Sequence, residues 1–378
     1  MYWIKPVTSR MTAPSLQLVR PTRFAELSPF AARAVLSLAL VVGWLLVAIT
    51  LSPWKSGFAD SPSRGTGDIP LYRAEAERIR GGEYYYAAVK AELESRGYPT
   101  RSALNWRTPL PVWLIGVLPA GGGQALLIGL AVCLIGVAGH VVAKEAGLAR
   151  ALATLVLLIG ALLPVALPGP YFMPEVWCGV LIAASLVFYG VGRTWWAVAL
   201  GLAALFVREL AAPYCVVCAL FSFHERRWPE VKAWVVGAIA YATFYAWHLT
   251  QLVPLIESNA RAHSDGWLQL GGAAFVISLV QMNAYLLLLP QWASALYLVL
   301  ALLGFASMAE GWGRRAAWAA CLYTFAFGVA GQAFNQYWGS VIAPLFCFGA
   351  AQGLAALTDV CRAARLPLAP TWSEDAVG

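Results

Sequence analysis

The chain strings apolar residues together for about 20 positions at a time, the length an α-helix needs to cross the hydrocarbon core of a bilayer. The first such run is Ala31 to Leu51, with Arg33 its only charge. Of 378 residues, 60% are hydrophobic and 12% charged, against roughly 25% charged in soluble domains. The mean hydropathy is +0.67. These features predict an all-α polytopic membrane protein, to which soluble-core reasoning does not apply.

A net charge of +7 invites a nucleic-acid reading until its location is considered. Much of it flanks the hydrophobic runs: Lys5, Arg10, Arg20 and Arg23 precede the first, and Arg226, Arg227, Arg314, Arg315, Arg362 and Arg365 border later ones. That is the positive-inside bias of a helix bundle, and no nucleic-acid partner is expected. The cysteines are dispersed and mostly sit inside apolar runs. Cys215-Val-Val-Cys218 has a metal or redox spacing but lies in an apolar stretch without a nearby His or Asp, where small-residue packing is the expected role. Neither a disulfide nor a cysteine-bound metal is predicted.

Residues 1–30, basic and proline-rich, predict a cytoplasmic arm. Ala31 to Leu51 follows too long a polar lead, and is itself too long, for a cleaved signal; it reads as an anchor. A single transmembrane domain, 31–358, then follows, with a large extracytoplasmic loop at 52–121. Further spans are expected at Gly122–Ala143, Ala151–Leu167, Val176–Val191, Trp234–Leu252, Trp292–Met308, Ala316–Gln332 and Ser340–Leu357. Trp195–Val207 and Leu210–Phe223 are too short to cross alone and predict a shallow hairpin around Arg208-Glu209. Trp267 to Leu289 predicts an in-plane or partly embedded helix. The count is about ten, with both termini, including a tail at 359–378, in the cytoplasm.

Between Leu51 and Ala125 comes the one long polar interruption, where carboxylates, arginines and aromatics gather. Pro70 marks a helix start, because its missing N–H costs nothing in the first turn. The helix from Leu71 carries Tyr72, Ala76 and Ile79 on one side, with Arg73, Glu77 and Arg80 on the other. Gly81-Gly82 ends it, and a second helix runs from Glu83 to Arg96, before Gly97-Tyr98-Pro99. Both predict amphipathic helices lying in the membrane plane, apolar stripe down.

Several residues here have two readings. Asp68 is a helix cap or a general base at the membrane–water boundary. Tyr84, Tyr85 and Tyr86 form an interfacial aromatic belt or a surface on which a sugar stacks. Arg107 is solvated or a phosphate ligand, since guanidinium matches phosphate oxygens. Glu175 heads a spanning helix, where the dipole favours a carboxylate. Arg208-Glu209, costly inside a membrane unless turned to a bundle interior or wet cavity, is a bracing ion pair or a donor-phosphate site. His248 reads as a hydrogen-bonded packing residue, His263 as a phosphate contact in an outer loop, and Tyr337 and Trp338 as boundary anchors.

Asp68 just after the first membrane helix, Tyr72 four positions on, the helix end at Gly82–Tyr86 and Thr108-Pro109 before a short apolar helix together resemble the GT-C superfamily of polyprenyl-phosphate-sugar glycosyltransferases. The likeness extends to Pro174-Glu175, to Arg208-Glu209, and to Asn335-Gln336-Tyr337-Trp338 before a last helix containing Pro344. It implies an inverting sugar transfer on the extracytoplasmic face of the inner membrane, from a polyprenyl-phosphate donor to a lipid, glycan or protein acceptor. Asp68 would be the base and Glu175 would orient the acceptor. Tyr72, Tyr84, Tyr85, Arg107, Arg208, Glu209, His263 and Tyr337 would bind substrate. No cofactor is implied. Asp68 is followed by Ile69 rather than by the second acidic residue of some members, which leaves use of a divalent metal open.

Three other functions compete. A lipid-linked glycan transporter or flippase would want charges along a continuous path and, often, internal repetition; the chain has only Arg208-Glu209 deep in the membrane and no repeat. A glycan polymerase or ligase usually carries its large polar loop late in the chain. A non-catalytic assembly partner would keep the fold without the activity.

Overall fold

The computed structural model describes residues 20–52, 67–262, 269–308 and 311–366, which contain helices and turns and no strand. Helix α1 (Pro29–Leu51) starts where the Ser28 hydroxyl accepts the Ala31 amide. It stands at the rim, leaving Leu38, Val41, Trp44 and Leu45 exposed. An outward apolar face on so long a helix suits lipid and not water.

From residue 67 on, the polar interruption folds into a cap of three helices, α2 (Asp68–Arg80), α3 (Tyr85–Ser95) and α4 (Leu110–Val117). The inward side of α2 is Leu71, Tyr72, Glu75, Ala76 and Ile79. Gly116 of α4 lets the two helices meet, because a Cβ there would lie 2.6 Å from the Ile79 side chain. The apolar stripe of α2 is thus turned inward against α4, and α3 likewise buries Tyr85, Tyr86, Ala88, Val89 and Leu93.

Helices α5 (Gly122–Ala146) and α6 (Leu148–Ala166) form a hairpin turning on Gly147, at φ 99°. In α7 (Pro174–Gly190) every residue from Pro174 to Val187 is buried. A helix apolar all round belongs in the middle, and α7 is the post around which the others stand. Helices α8 (Thr194–Val207) and α9 (Ala212–His224) have 14 and 13 residues, or about 20 Å each. They are separated by an extended Arg208 and one 3-10 turn, Glu209–Ala211.

Next come α10 (Trp228–Leu252), α11 (Gly272–Val280), α12 (Ala284–Leu287), α13 (Gln291–Ser307), α14 (Gly311–Val329) and α15 (Gly339–Ala363). The region expected to lie partly embedded is broken between α11 and α12. Asn283 makes the break, its Oδ1 accepting the Tyr285 amide at 3.1 Å and its Nδ2 donating to the Leu157 carbonyl at 3.1 Å. Among the described residues, 4 helices are long and apolar enough to cross a membrane: α1, α5, α6 and the unit ending in α15. The helices α7, α8, α9 and α13 are apolar but shorter.

Small residues set the tightest seam. Gly349 and Gly353 of α15, spaced as a small-xxx-small pair, face Gly304 of α13. A Cβ on Gly304 would collide with the Gly349 carbonyl oxygen and lie 2.7 Å from the Gly353 amide. Backbones approach this closely only without side chains between them. Gly304→Ala should therefore destabilise the fold by about 1–3 kcal/mol, the usual cost of overpacking. Thermal unfolding in detergent reads this, and an unchanged midpoint would show the seam to be slack.

Candidate functional site

The site begins with the start of α2. Gly67, at φ 87°, precedes the helix and makes no side-chain cap, so Asp68 occupies the first helical position. Of the two readings of Asp68, the cap is the one this geometry lacks. The carboxylate sits at the favourable positive end of the helix, and its Oδ1 accepts the Tyr98 hydroxyl at 3.2 Å. Tyr98 is placed by the end of α3, where Gly97 adopts φ 71° and the Tyr98 amide bonds the Leu93 carbonyl at 2.9 Å, a glycine-terminated helix end.

One helical turn on, Tyr72 is buried on the inward face of α2. Its hydroxyl accepts Arg107 Nε at 2.9 Å. Arg107 also donates from Nη1 to the Leu104 carbonyl at 2.8 Å and from Nη2 to the Tyr337 hydroxyl at 3.3 Å. The Tyr85 hydroxyl holds the Arg107 carbonyl at 2.7 Å. Arg107 thus joins the cap to the turn before α15. Three of its five N–H donors are used among the described residues; one remains on each terminal nitrogen.

Deeper, Arg208 lies 2.8 Å from Glu175 and 2.7 Å from Glu209. Its side chain is 3% exposed and that of Glu175 0%. The approach to Glu175 is a close ion contact without an aligned hydrogen bond, and Glu175 Oε2 has no partner among the described residues. Arg107 interacts electrostatically with Glu175 and Glu209. Tyr337 feels Arg107, Asp68, Glu175 and Arg208. Two residues before it, Asn335 is buried, with neither Oδ1 nor Nδ2 bonded among the described residues. Buried polar groups are almost always satisfied, so Asn335 and Glu175 Oε2 mark places where a further partner belongs.

The structure therefore gathers Asp68, Tyr72, Tyr85, Arg107, Glu175, Arg208, Glu209 and Tyr337 into one cluster. Tyr84 stands apart, 59% exposed, with its hydroxyl donating to Gln251 Oε1 at 3.0 Å. His263 lies outside the described residues. His248 is buried and hydrogen-bonded, as expected of a packing residue. A carbonyl can only accept, so Nε2 donates to the Trp106 carbonyl at 3.2 Å and Nδ1 accepts the Tyr86 hydroxyl at 2.8 Å. It fixes the residue next to Arg107.

Beside the cluster a groove of about 440 Å³ opens, lined by Tyr84, Tyr85, Pro109, Trp113, Phe244 and Trp247 among others. No three metal-ligating side chains converge among the described residues.

Sequence reasoning missed Glu75. It lies on the inward stripe of α2 between Tyr72 and Ile79, is 2% exposed, and has no hydrogen bond or ion pair among the described residues. Burial pushes its carboxyl well above the ordinary 4.5, Arg107 opposes that, and Glu92 and Asp68 reinforce it. The signal was available: an acid among the apolar positions of an amphipathic helix. Glu92, by contrast, is held low: burial would raise it, but hydrogen bonds from Arg78 and Arg96 prevail.

An acid whose folded pKa exceeds its unfolded one stabilises fully below the unfolded value and loses that contribution as pH rises toward the folded one. Glu75→Gln should therefore unfold at the same temperature as the parent in acid and at a higher one above neutrality. Thermal midpoints measured across pH test this; parallel curves would contradict it.

Comparison of the chain with protein-family models, with curated proteins and with solved structures gave no match.

Proposed function

We propose that this chain is an integral-membrane glycosyltransferase, moving a sugar from a polyprenyl-phosphate donor to an acceptor hydroxyl with inversion at the anomeric carbon. The observation that carries the reading is Arg107. It is held by Tyr72, Tyr337 and the Leu104 carbonyl, keeps two donors unused among the described residues, and is joined through its carbonyl to Tyr85, which lines an apolar groove. A phosphate on a long hydrocarbon tail has those two halves.

In the proposed reaction the tail lies along Trp113 and Trp247, and the phosphate meets Arg107. Asp68 accepts the proton of the acceptor hydroxyl as its oxygen bonds to the anomeric carbon. The bond from that carbon to the phosphate oxygen breaks, and the phosphate leaves with the electron pair. Arg107 donors stabilise its charge where water is scarce, which is where such stabilisation counts most. Arg208, already paired with Glu175 and Glu209, orients Glu175 toward the acceptor rather than serving as a second phosphate ligand.

The same reading completes about ten crossings, with α8 and α9 as two half-crossings, the cap on the extracytoplasmic face of the inner membrane and both termini in the cytoplasm. The test is turnover of radiolabelled polyprenyl-phosphate sugar by the purified chain. Label appearing in acceptor supports the enzyme. Label moved across a vesicle without bond cleavage would mean a transporter, and no reaction with any hydroxyl acceptor an assembly partner.

A further inference from the structure

A second charged cavity lies at the other end of the bundle. It has a volume of about 620 Å³, sits at the α5–α6 turn, and is lined by Arg20, Arg23, Lys144, Arg150, Trp312 and Gln352 among others. From there α6, of 19 residues, runs about 28 Å before the chain reaches Glu175, so this cavity is separate from the cluster around Arg107.

None of Arg20, Arg23, Lys144 and Arg150 forms an ion pair among the described residues. The one carboxylate in the described lining, Glu145, spends Oε2 on the Trp312 indole at 2.6 Å. Arg150 is 6% exposed. Its Nη1 donates to Gln352 Oε1 at 3.0 Å, its Nη2 donates to the Arg20 carbonyl, and its Nε has no partner. Asp359 lies behind, its Oδ2 accepting the Thr22 amide at 2.7 Å. Asp359 is shared with Arg362, 3.9 Å away.

A buried guanidinium without an ion pair is costly unless an anion comes to it. A cationic cavity between helix ends, edged by tryptophan, has the chemistry that holds an acidic headgroup at a membrane boundary. We propose that this cavity binds a phosphate-bearing anion, either the headgroup of an anionic phospholipid or soluble phosphate, with Arg150 at its floor and Arg23 and Lys144 at its mouth.

The experiment uses the full chain in neutral detergent, with native mass spectrometry and thermal unfolding as readouts. Phosphatidylglycerol, phosphatidylcholine and inorganic phosphate are titrated separately. Saturable binding of phosphatidylglycerol but not phosphatidylcholine, without protection by inorganic phosphate, assigns the lipid. Equal protection by inorganic phosphate assigns the soluble ion. Arg150→Gln and, because that residue also braces Arg20, the separate pair Arg23→Gln/Lys144→Gln should each weaken binding, by about fivefold per cation removed. The proposal is overturned if neither anion binds saturably, or if both variants bind as tightly as the parent.

Discussion

If the chain transfers sugar as proposed, Asp68→Asn is expected to lower that transfer by about 10²–10⁴-fold, the usual contribution of a general base, while moving the thermal midpoint by no more than about 4 °C. The argument is local. Asparagine keeps an oxygen at the position where Asp68 Oδ1 accepts Tyr98, so the tie between the start of α2 and the end of α3 survives. What disappears is a carboxylate able to take a proton. The residue lies in the first turn of α2, where the loss of a favourable charge costs only a few tenths to about 1 kcal/mol. Binding of the donor, through Arg107 and the groove, should be retained. A variant that binds donor and transfers at the parental rate would remove Asp68 from the mechanism.

The second large effect concerns stability. Glu175→Ala leaves Arg208, 3% exposed, paired with Glu209 alone. Removing one partner of a buried ion pair typically costs about 3–5 kcal/mol, because a charge remains without compensation. The surviving Glu209 pair puts the expected loss at the lower end. Replacing Glu175 and Arg208 together by apolar residues of similar size, Glu175→Leu with Arg208→Met, should recover part of it, because two buried charges go while Glu209, its side chain 36% exposed, keeps access to water. Unfolding of both single variants and the double variant in one detergent measures this coupling. If Glu175→Ala melts with the parent, the pair is not bracing α7 against the α8–α9 break.

Much of the bundle was legible because lipid imposes one rule, that apolar runs become helices. The run at Ala31–Leu51 became Pro29–Leu51, and the shallow pair around Arg208 appeared as two short helices. The break at Asn283 was less legible, since it depends on a side chain reaching the Leu157 carbonyl on a distant helix. Asp68, Tyr72, Arg107 and Tyr337 were legible as candidates because each is a polar or aromatic residue in an unusual place. That Arg107 joins Tyr72 to Tyr337 was not, since those contacts cross 35 and 230 positions. Glu75 was overlooked for a different reason. A helical stripe is sorted by its majority, and one acid among Tyr72, Ala76 and Ile79 reads as an exception rather than as a buried group.

The cap is also fastened along its outer edge. The Tyr84 hydroxyl donates to Gln251, the Lys90 ammonium pairs with Glu257 at 3.1 Å, and the Arg101 amide bonds the Arg261 carbonyl at 3.0 Å. The hydrophilic residues from 67 to 109 are therefore stitched down at several points. An epitope tag or reporter spliced between Asp68 and Pro109, where hydrophilicity would tempt an experimenter, would pull those stitches and disturb the cap that carries Arg107. Loss of activity in such a fusion would report the insertion, not the topology it was meant to map.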